Sequence, residues 1–141
     1  MSTDFNTWLA ENGLALLFTT ITGDSFYVNR EKRFGVVRTV GTYSVQSFYL
    51  DDIIEIKTKD DEKLVYEWTT NTGWKIPQRS TSHSTNEVYM KLRMKNTGDI
   101  RLQIFKATGR NVERNTYEHA NLINYACQIS HAVFAEVTGC R

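Results

Sequence analysis

Residues 87–104, EVYMKLRMKNTGDIRLQI, decide the fold, because apolar and polar side chains alternate along them in two successive runs. Every second residue from Val88 to Met94 is apolar, and Ile100, Leu102 and Ile104 repeat the pattern after the turn-like NTGD. A period of two is typical of half-buried β-strands. A register shift of one residue would turn cations into the core. The stretch therefore predicts a strongly specified antiparallel hairpin.

Similar strand patterns fill most of the chain before this hairpin. LALLFTTI (14–21) is apolar and β-branched, and FYVNR (26–30) and RFGVVRTV (33–40) predict a second hairpin joined by the charged EK. TYSVQSFYL (42–50) alternates again. In the next strand we expect Ile54 and Ile56 to share one face. These runs predict a strand-rich, antiparallel domain.

Helical patterns flank the strands at both ends. DFNTWLAENG (4–13) predicts a short helix with Asp4 at its N-cap. Near the C-terminus the apolar spacing changes to three and four residues, which predicts an amphipathic helix of about six turns. Its apolar stripe consists of Leu122, Ala126, Ile129, Val133 and Val137. We expect Asn115 and Glu118 to form a capping box and Gly139 to end the helix.

The composition bounds the class of protein. A chain of 141 residues with 40% hydrophobic and 23% charged residues fits one globular domain spanning residues 1–141. The formal net charge of +1 argues against nucleic acid as a partner. The patterns show no signal peptide and no apolar run long enough for stable membrane insertion. Together with two cysteines, Cys127 and Cys140, these features predict a cytoplasmic protein with reduced thiols.

Three segments resemble small bacterial and prophage pleckstrin-homology-like (PH-like) proteins of unknown function. They are SFYLDDIIEIKTKDDE (47–62), VYMKLRMKNTGDIRLQIF (88–105) and YEHANLINYACQISHAVFAEV (117–137), and the resemblance extends over roughly residues 25–138. It implies an α+β fold: a PH-like antiparallel β-barrel or roll of about seven strands capped by the C-terminal helix, with the short N-terminal helix outside. The chain lacks the cysteine-rich zinc ribbon that such proteins often carry at the N-terminus.

The segment TTNTGWKIPQRSTSHSTN (69–86) is the best candidate for a functional surface. In the PH-like proteins this position often holds a Gly-rich apolar insertion, whereas here it is short and polar. An aromatic residue beside cations is typical of protein-interface hot spots. We therefore predict that the segment binds a protein partner through Trp74, Lys75, Ile76, Arg79 and His83. The alternative is that Trp74 folds back onto the barrel and the remainder has no binding role.

Two basic clusters suggest other ligands. Arg30, Lys32 and Arg33 at the tip of the second hairpin are candidates for anionic lipid or phosphate binding through charge-assisted hydrogen bonds. Charged hairpin tips are also common as solvated turns. A second cluster, the basic stripe of Lys91, Arg93, Lys95 and Arg101, fits either an acidic partner or a solubilising outer face.

The sequence gives little support to catalysis. Asp51, Asp52 and Glu55 look like hydrated turn acids, and His83, His119 and His131 do not form a metal-binding set. We therefore predict a non-enzymatic protein-interaction module of bacterial or prophage origin, without metal or other cofactor, that binds an unidentified protein through the 69–86 segment and the barrel rim. Self-association is left open. A small hydrolase is the third hypothesis, and a pocket with two converging titratable groups would support it.

Overall fold

The computed structural model describes residues 4–75, 84–113 and 116–139. Helix α1 (Phe5–Glu11) is followed by β1 (Ala15–Thr19), β2 (Ser25–Asn29), β3 (Phe34–Thr39) and β4 (Ser44–Tyr49), then by a 3-10 turn (Leu50–Asp52). The second half contains β5 (Ile53–Asp60), β6 (Lys63–Thr69), β7 (Gly73–Lys75), β8 (Glu87–Met94), β9 (Ile100–Lys106) and helix α2 (Tyr117–Thr138). The chain is therefore α+β, as predicted.

The described strands form two antiparallel sheets and not a closed barrel, so the expected barrel or roll of about seven strands is not confirmed, whereas the antiparallel strands and the C-terminal helix are. The first sheet is four-stranded in the order β1-β2-β3-β4, and the second is five-stranded in the order β7-β6-β5-β8-β9. Among the described residues no ladder of backbone hydrogen bonds joins the two sheets. The physical reason is that the β1–β2 turn meets the edge of β9 with side chains instead of a strand.

Asp24 is the residue that joins the sheets at this seam. Its buried carboxylate accepts hydrogen bonds from the backbone N–H of Val40 (3.0 Å) at the end of β3 and of Gln103 (2.8 Å) in β9. The hydroxyls of Thr20 and Thr22 donate to the Gln103 carbonyl, each at 2.8 Å. The β1–β2 turn thus provides hydrogen bonds to the outward-pointing backbone N–H and C=O of Gln103. In a wider sheet, a neighbouring strand would provide these hydrogen bonds.

The β8–β9 hairpin is confirmed. β8 and β9 pair in antiparallel register, with Glu87 opposite Lys106, and the predicted apolar residues of both strands are buried.

In β5 the prediction of which residues share the buried face is wrong. Ile53 and Ile56 are both buried while Ile54 is only half-buried, because a β-bulge between Ile53 and Glu55 shifts the alternation.

Helix α2 covers the inner face of the second sheet. Its predicted stripe of Leu122, Ala126, Ile129, Val133 and Val137 is buried in one cluster with core residues of both sheets. The hydroxyls of Thr58 in β5 and Ser130 in α2 form a buried hydrogen bond of 2.5 Å that fixes the helix along the sheet. Within the described ranges, neither helix has the length and apolar character needed to cross a membrane.

The ends of α2 differ slightly from the prediction. The N-cap is Thr116, whose hydroxyl accepts from the His119 backbone N–H at 3.1 Å; this is one residue after the expected cap, Asn115, which lies outside the described residues. Gly139 ends the helix as predicted, in the left-handed conformation with φ of 76°.

Helix α1 covers the outer face of the first sheet. Asp4 caps it as predicted, accepting from the Thr7 backbone N–H. Leu9, Leu14 and Val36 form a small second cluster beneath the helix. The first sheet is therefore covered on both faces, although most residues of its edge strand β4 remain exposed.

Candidate functional site

The predicted binding segment, residues 69–86, is described at both ends. At its start, Gly73–Lys75 form β7, which pairs with β6 and places Trp74 opposite Trp68 and Lys75 opposite Glu67. Ile76, Arg79 and His83 lie outside the described residues. The assignment of these residues and of Trp74 and Lys75 to protein binding stays a prediction.

The end of the segment is anchored by a buried polar cluster. Thr85, fully buried, donates from its hydroxyl to Asp60 at 2.6 Å. His119 Nε2 lies 2.9 Å from the Thr85 hydroxyl oxygen and 3.4 Å from Asp60 Oδ2. Because the hydroxyl has one hydrogen, which goes to Asp60, His119 is the donor to Thr85. The cluster ties the segment to both β5 and α2.

An apolar groove adjoins this anchored end. It lies between the β1–β2 turn, β9 and the first half of α2, with a volume of about 400 Å³. The residues that line it are Ile21, Phe105, Val112, Glu118, Asn121, Leu122 and Tyr125. Ile21 is 64% exposed, so most of its aliphatic side chain is in contact with water. Burial raises the pKa of the Tyr125 hydroxyl, which donates to the Thr19 carbonyl at 3.2 Å.

The groove adjoins the described end of the 69–86 segment. Thr85 and Val112 exchange two backbone hydrogen bonds, of 2.8 and 2.9 Å, and Val112 is one of the residues lining the groove. Sequence reasoning missed the groove because its residues are scattered over a hundred positions. In the sequence itself, the local signal was an aliphatic residue, Ile21, directly before the turn-like TGD.

The structure gives internal partners to two of the three residues predicted for lipid or phosphate binding. Arg30 donates to both carboxylate oxygens of buried Glu136 at 2.8–3.0 Å. Arg33 donates to Asp51 and to the carbonyls of Glu136 and Val137 at the end of α2. The hydrogen bond from Arg33 lowers the pKa of Asp51. A phosphate would have to displace these contacts, whereas Lys32 is exposed.

The predicted basic stripe lies on the outer face of the second sheet among acids. Lys91 is 3.2 Å from Asp99, and Arg101 is 2.9 Å from Glu87 and lies over the Tyr89 ring. Arg93 pairs across the ladder with Glu55, and Lys57 lies between Glu55 and Glu67. Charges of both signs therefore alternate on this face, which favours a solubilising role over attraction of an acidic partner.

A polar cleft of about 370 Å³ opens between the β3–β4 turn and β9. Thr39, Thr42 and Ser44 on one wall hydrogen-bond to one another. On the opposite wall, Glu87 accepts from Arg101 and from Gln103. Burial of Glu87 acts to raise its pKa, but these hydrogen bonds and the charges of Arg101 and Lys106 outweigh it, so the pKa is lowered. These side chains on the two walls are thus hydrogen-bonded to their neighbours on the same wall.

His131 and Cys127, which were named from the sequence, have structural contacts, whereas Cys140 lies outside the described residues. The Tyr66 hydroxyl lies 3.2 Å from His131 Nδ1, and burial raises the pKa of Tyr66. Cys127 is half-buried and its thiol lies 3.7 Å from the Val65 carbonyl. The part of the chain that the structure describes has no cluster of three or more His, Cys, Asp or Glu side chains placed to hold a metal ion.

The chain was compared with protein-family models, with curated proteins and with solved structures, and none of the three comparisons gives a match.

Proposed function

We propose that this protein is a non-enzymatic protein-interaction module that binds its partner through the 69–86 segment and the apolar groove at the rim of the sheets. The observation that carries the proposal is the backbone bridge between Thr85, at the end of the segment, and Val112, which lines the groove. The buried Asp60–Thr85–His119 cluster fixes the described end of the segment, at Thr85, next to the groove.

The chemistry of the groove favours an apolar anchor on the partner. Phe105, Leu122 and Tyr125 form apolar walls, and Ile21 is the exposed side chain that a partner would cover. Removing apolar surface from water contributes roughly 25 cal/mol per Å² before the costs of association. Glu118 and Asn121 at the margin supply polar contacts of the kind found at interface rims.

A relation to bacterial and prophage PH-like proteins is part of the same proposal. It is supported by the succession of antiparallel strands and by the C-terminal helix packed on the sheet. A cytoplasmic location belongs to this proposal too. Fold-level resemblance by itself does not assign function, so the binding surface is what has to be tested.

The test of the groove is affinity capture with two matched variants. Ile21→Lys places a cation at the groove, whereas Leu16→Lys makes the same change at a residue that is 56% exposed in β1 and does not line the groove. We expect Ile21→Lys to lose a partner that the wild type and Leu16→Lys both recover, as measured by quantitative mass spectrometry. Equal recovery by all three proteins would reject the groove as the binding surface.

The test of the segment is Trp74→Ala in the same assay. Loss of the same partner as with Ile21→Lys would support one binding surface made of segment and groove. If Trp74→Ala recovers every partner at wild-type level, the assignment of the 69–86 segment to binding is wrong, and the groove has to be judged by its own variants.

A further inference from the structure

The edge of β4 presents backbone groups that the described chain does not pair. The Leu50 N–H bonds to the Arg33 carbonyl at 2.9 Å, in line with the β3–β4 register. Because N–H direction alternates along an antiparallel strand, residues 44, 46 and 48 face β3 and residues 45, 47 and 49 face away. Among the described strands, β4 is hydrogen-bonded to β3 alone.

The side chains of β4 do not hinder pairing of this edge with another chain. Val45 is 50% exposed and Tyr49 is 59% exposed, and Ser47 between them is exposed as well. The strand reads SVQSFY and contains no charge and no proline. Natural edge strands are usually blunted by Lys, Pro or bulges, which prevent pairing with another chain. An edge without these features is suited to pairing.

We propose that this edge is an interface between two copies of the chain, in which β4 pairs antiparallel with β4 of a second copy about a two-fold axis at Ser47. Each Ser47 then exchanges two backbone hydrogen bonds with Ser47 of the second copy. In the same register Val45 lies opposite Tyr49 of the second copy. The two four-stranded sheets become one continuous sheet. The proposal goes beyond the partner-binding groove and uses a different surface.

Self-complementarity is the reason to choose a second copy as the occupant. A two-fold axis requires one surface to match itself. With the axis at Ser47, each residue whose backbone N–H points outward meets another such residue, which gives Val–Tyr and Ser–Ser pairs on one face of the sheet and a Gln–Phe pair on the other. β-Branched residues opposite aromatic residues are favourable cross-strand pairs, and within β4 no like charges face each other.

A proline substitution tests the backbone pairing. The Ser47 N–H points away from β3, so Ser47→Pro removes an outward donor without breaking the β3–β4 ladder. Ser47→Thr keeps the donor and is the matched control. In sedimentation equilibrium up to high micromolar concentration, we expect the wild type and Ser47→Thr to approach twice the 16.3 kDa chain mass. Ser47→Pro should remain at the monomer mass.

A charge pair tests the position of the axis and does not depend on proline being tolerated. Ser47→Lys places two cations directly opposite each other in the dimer, and Ser47→Glu places two anions there. We expect each variant alone to be monomeric, because like charges opposite each other destabilise a pair. An equimolar mixture should dimerise, because each lysine then faces a glutamate.

The outcomes separate this inference from the proposed function. A wild type that stays monomeric at all concentrations would overturn the inference, as would a dimer that is unaffected by proline and by charge at residue 47. Failure of the lysine–glutamate mixture to dimerise would overturn the axis at Ser47. None of these results changes the expectation for Ile21→Lys, which concerns the groove.

Discussion

At the scale of single residues, the Arg30–Glu136 pair is the clearest case of a residue whose role the sequence did not reveal. The sequence suggested Arg30 as a ligand-binding cation. The structure instead places it against a carboxylate that is 4% exposed and lies 106 residues further along the chain. No local pattern links two residues at such a separation. The composition of a hairpin tip predicts that a residue is charged, but not what it contacts.

The Arg30–Glu136 pair predicts that removing the cation lowers the free energy of unfolding. Arg30→Ala leaves the buried Glu136 carboxylate without its guanidinium partner, and we expect a loss of about 2 kcal/mol in the free energy of unfolding measured with urea. Lys32→Ala in the same hairpin is the control, because an exposed surface substitution usually changes stability by no more than about 0.5 kcal/mol. Equal effects of the two substitutions would contradict a structural role for the Arg30–Glu136 pair.

The lowered pKa of Glu87 predicts how the stability of the fold changes as the pH falls. Burial acts to raise its pKa, but hydrogen bonds from Gln103 and Arg101 outweigh this, so the folded-state pKa lies below the ordinary value of 4.5. As pH falls through the ordinary value, the unfolded chain binds the proton first, so Glu87 stabilises the fold above this range and loses its contribution below it.

We therefore expect Glu87→Gln to be less stable than the wild type at pH 7, by about 1 kcal/mol, and to lose less stability than the wild type between pH 5 and about pH 3. Urea midpoints at several pH values measure both effects. Gln103→Met removes one of the hydrogen bonds and should show a smaller change in the same direction. If the urea midpoint of Glu87→Gln falls as steeply with decreasing pH as that of the wild type, this account is wrong.

At the scale of elements, strict alternation was enough to predict the β8–β9 hairpin, and steps of three and four were enough for α2. Both patterns report which face is buried, and that depends on local geometry. The bulge in β5 was not predictable, because it arises from pairing with β8. The N-cap at Thr116 was missed by one residue, since Asn115 and Thr116 are both good capping residues.

Asp24 predicts what happens when the link between the sheets is removed. Asp24→Ala leaves the N–H groups of Val40 and Gln103 without their acceptor, and we expect a loss of about 2–3 kcal/mol in the free energy of unfolding. Thr22→Val should cost less, because the Gln103 carbonyl still accepts from Thr20. Amide exchange provides the specific readout: the Gln103 amide should lose protection in Asp24→Ala. Unchanged protection there would mean that Asp24 does not hold the seam.

At the scale of the whole molecule, the order of the second sheet could not be predicted. β5 lies at its centre, between β6 and β8, although β6 ends at Thr69 and β8 begins only at Glu87. Such a neighbour is chosen by nonlocal packing, which leaves no periodic trace in the sequence. The same holds for the open seam: the sequence predicted enough strands for a barrel, but not that side chains of the β1–β2 turn would take the place of a ladder at β9.

The core predicts that the two sheets unfold together although no backbone ladder joins them. One cluster contains Phe26 and Val37 of the first sheet, Ile56 and Leu92 of the second, and the buried stripe of α2. Opening either sheet alone would expose this shared core, so we expect the slowest-exchanging amides of β2–β3 and of β5–β8 to report the same free energy in native-state hydrogen exchange. Amides of α1 serve as the internal contrast. This helix of seven residues packs on a separate small cluster and should exchange at a lower free energy. First-sheet amides that exchange at the level of α1 would show that the sheets are separate cooperative units.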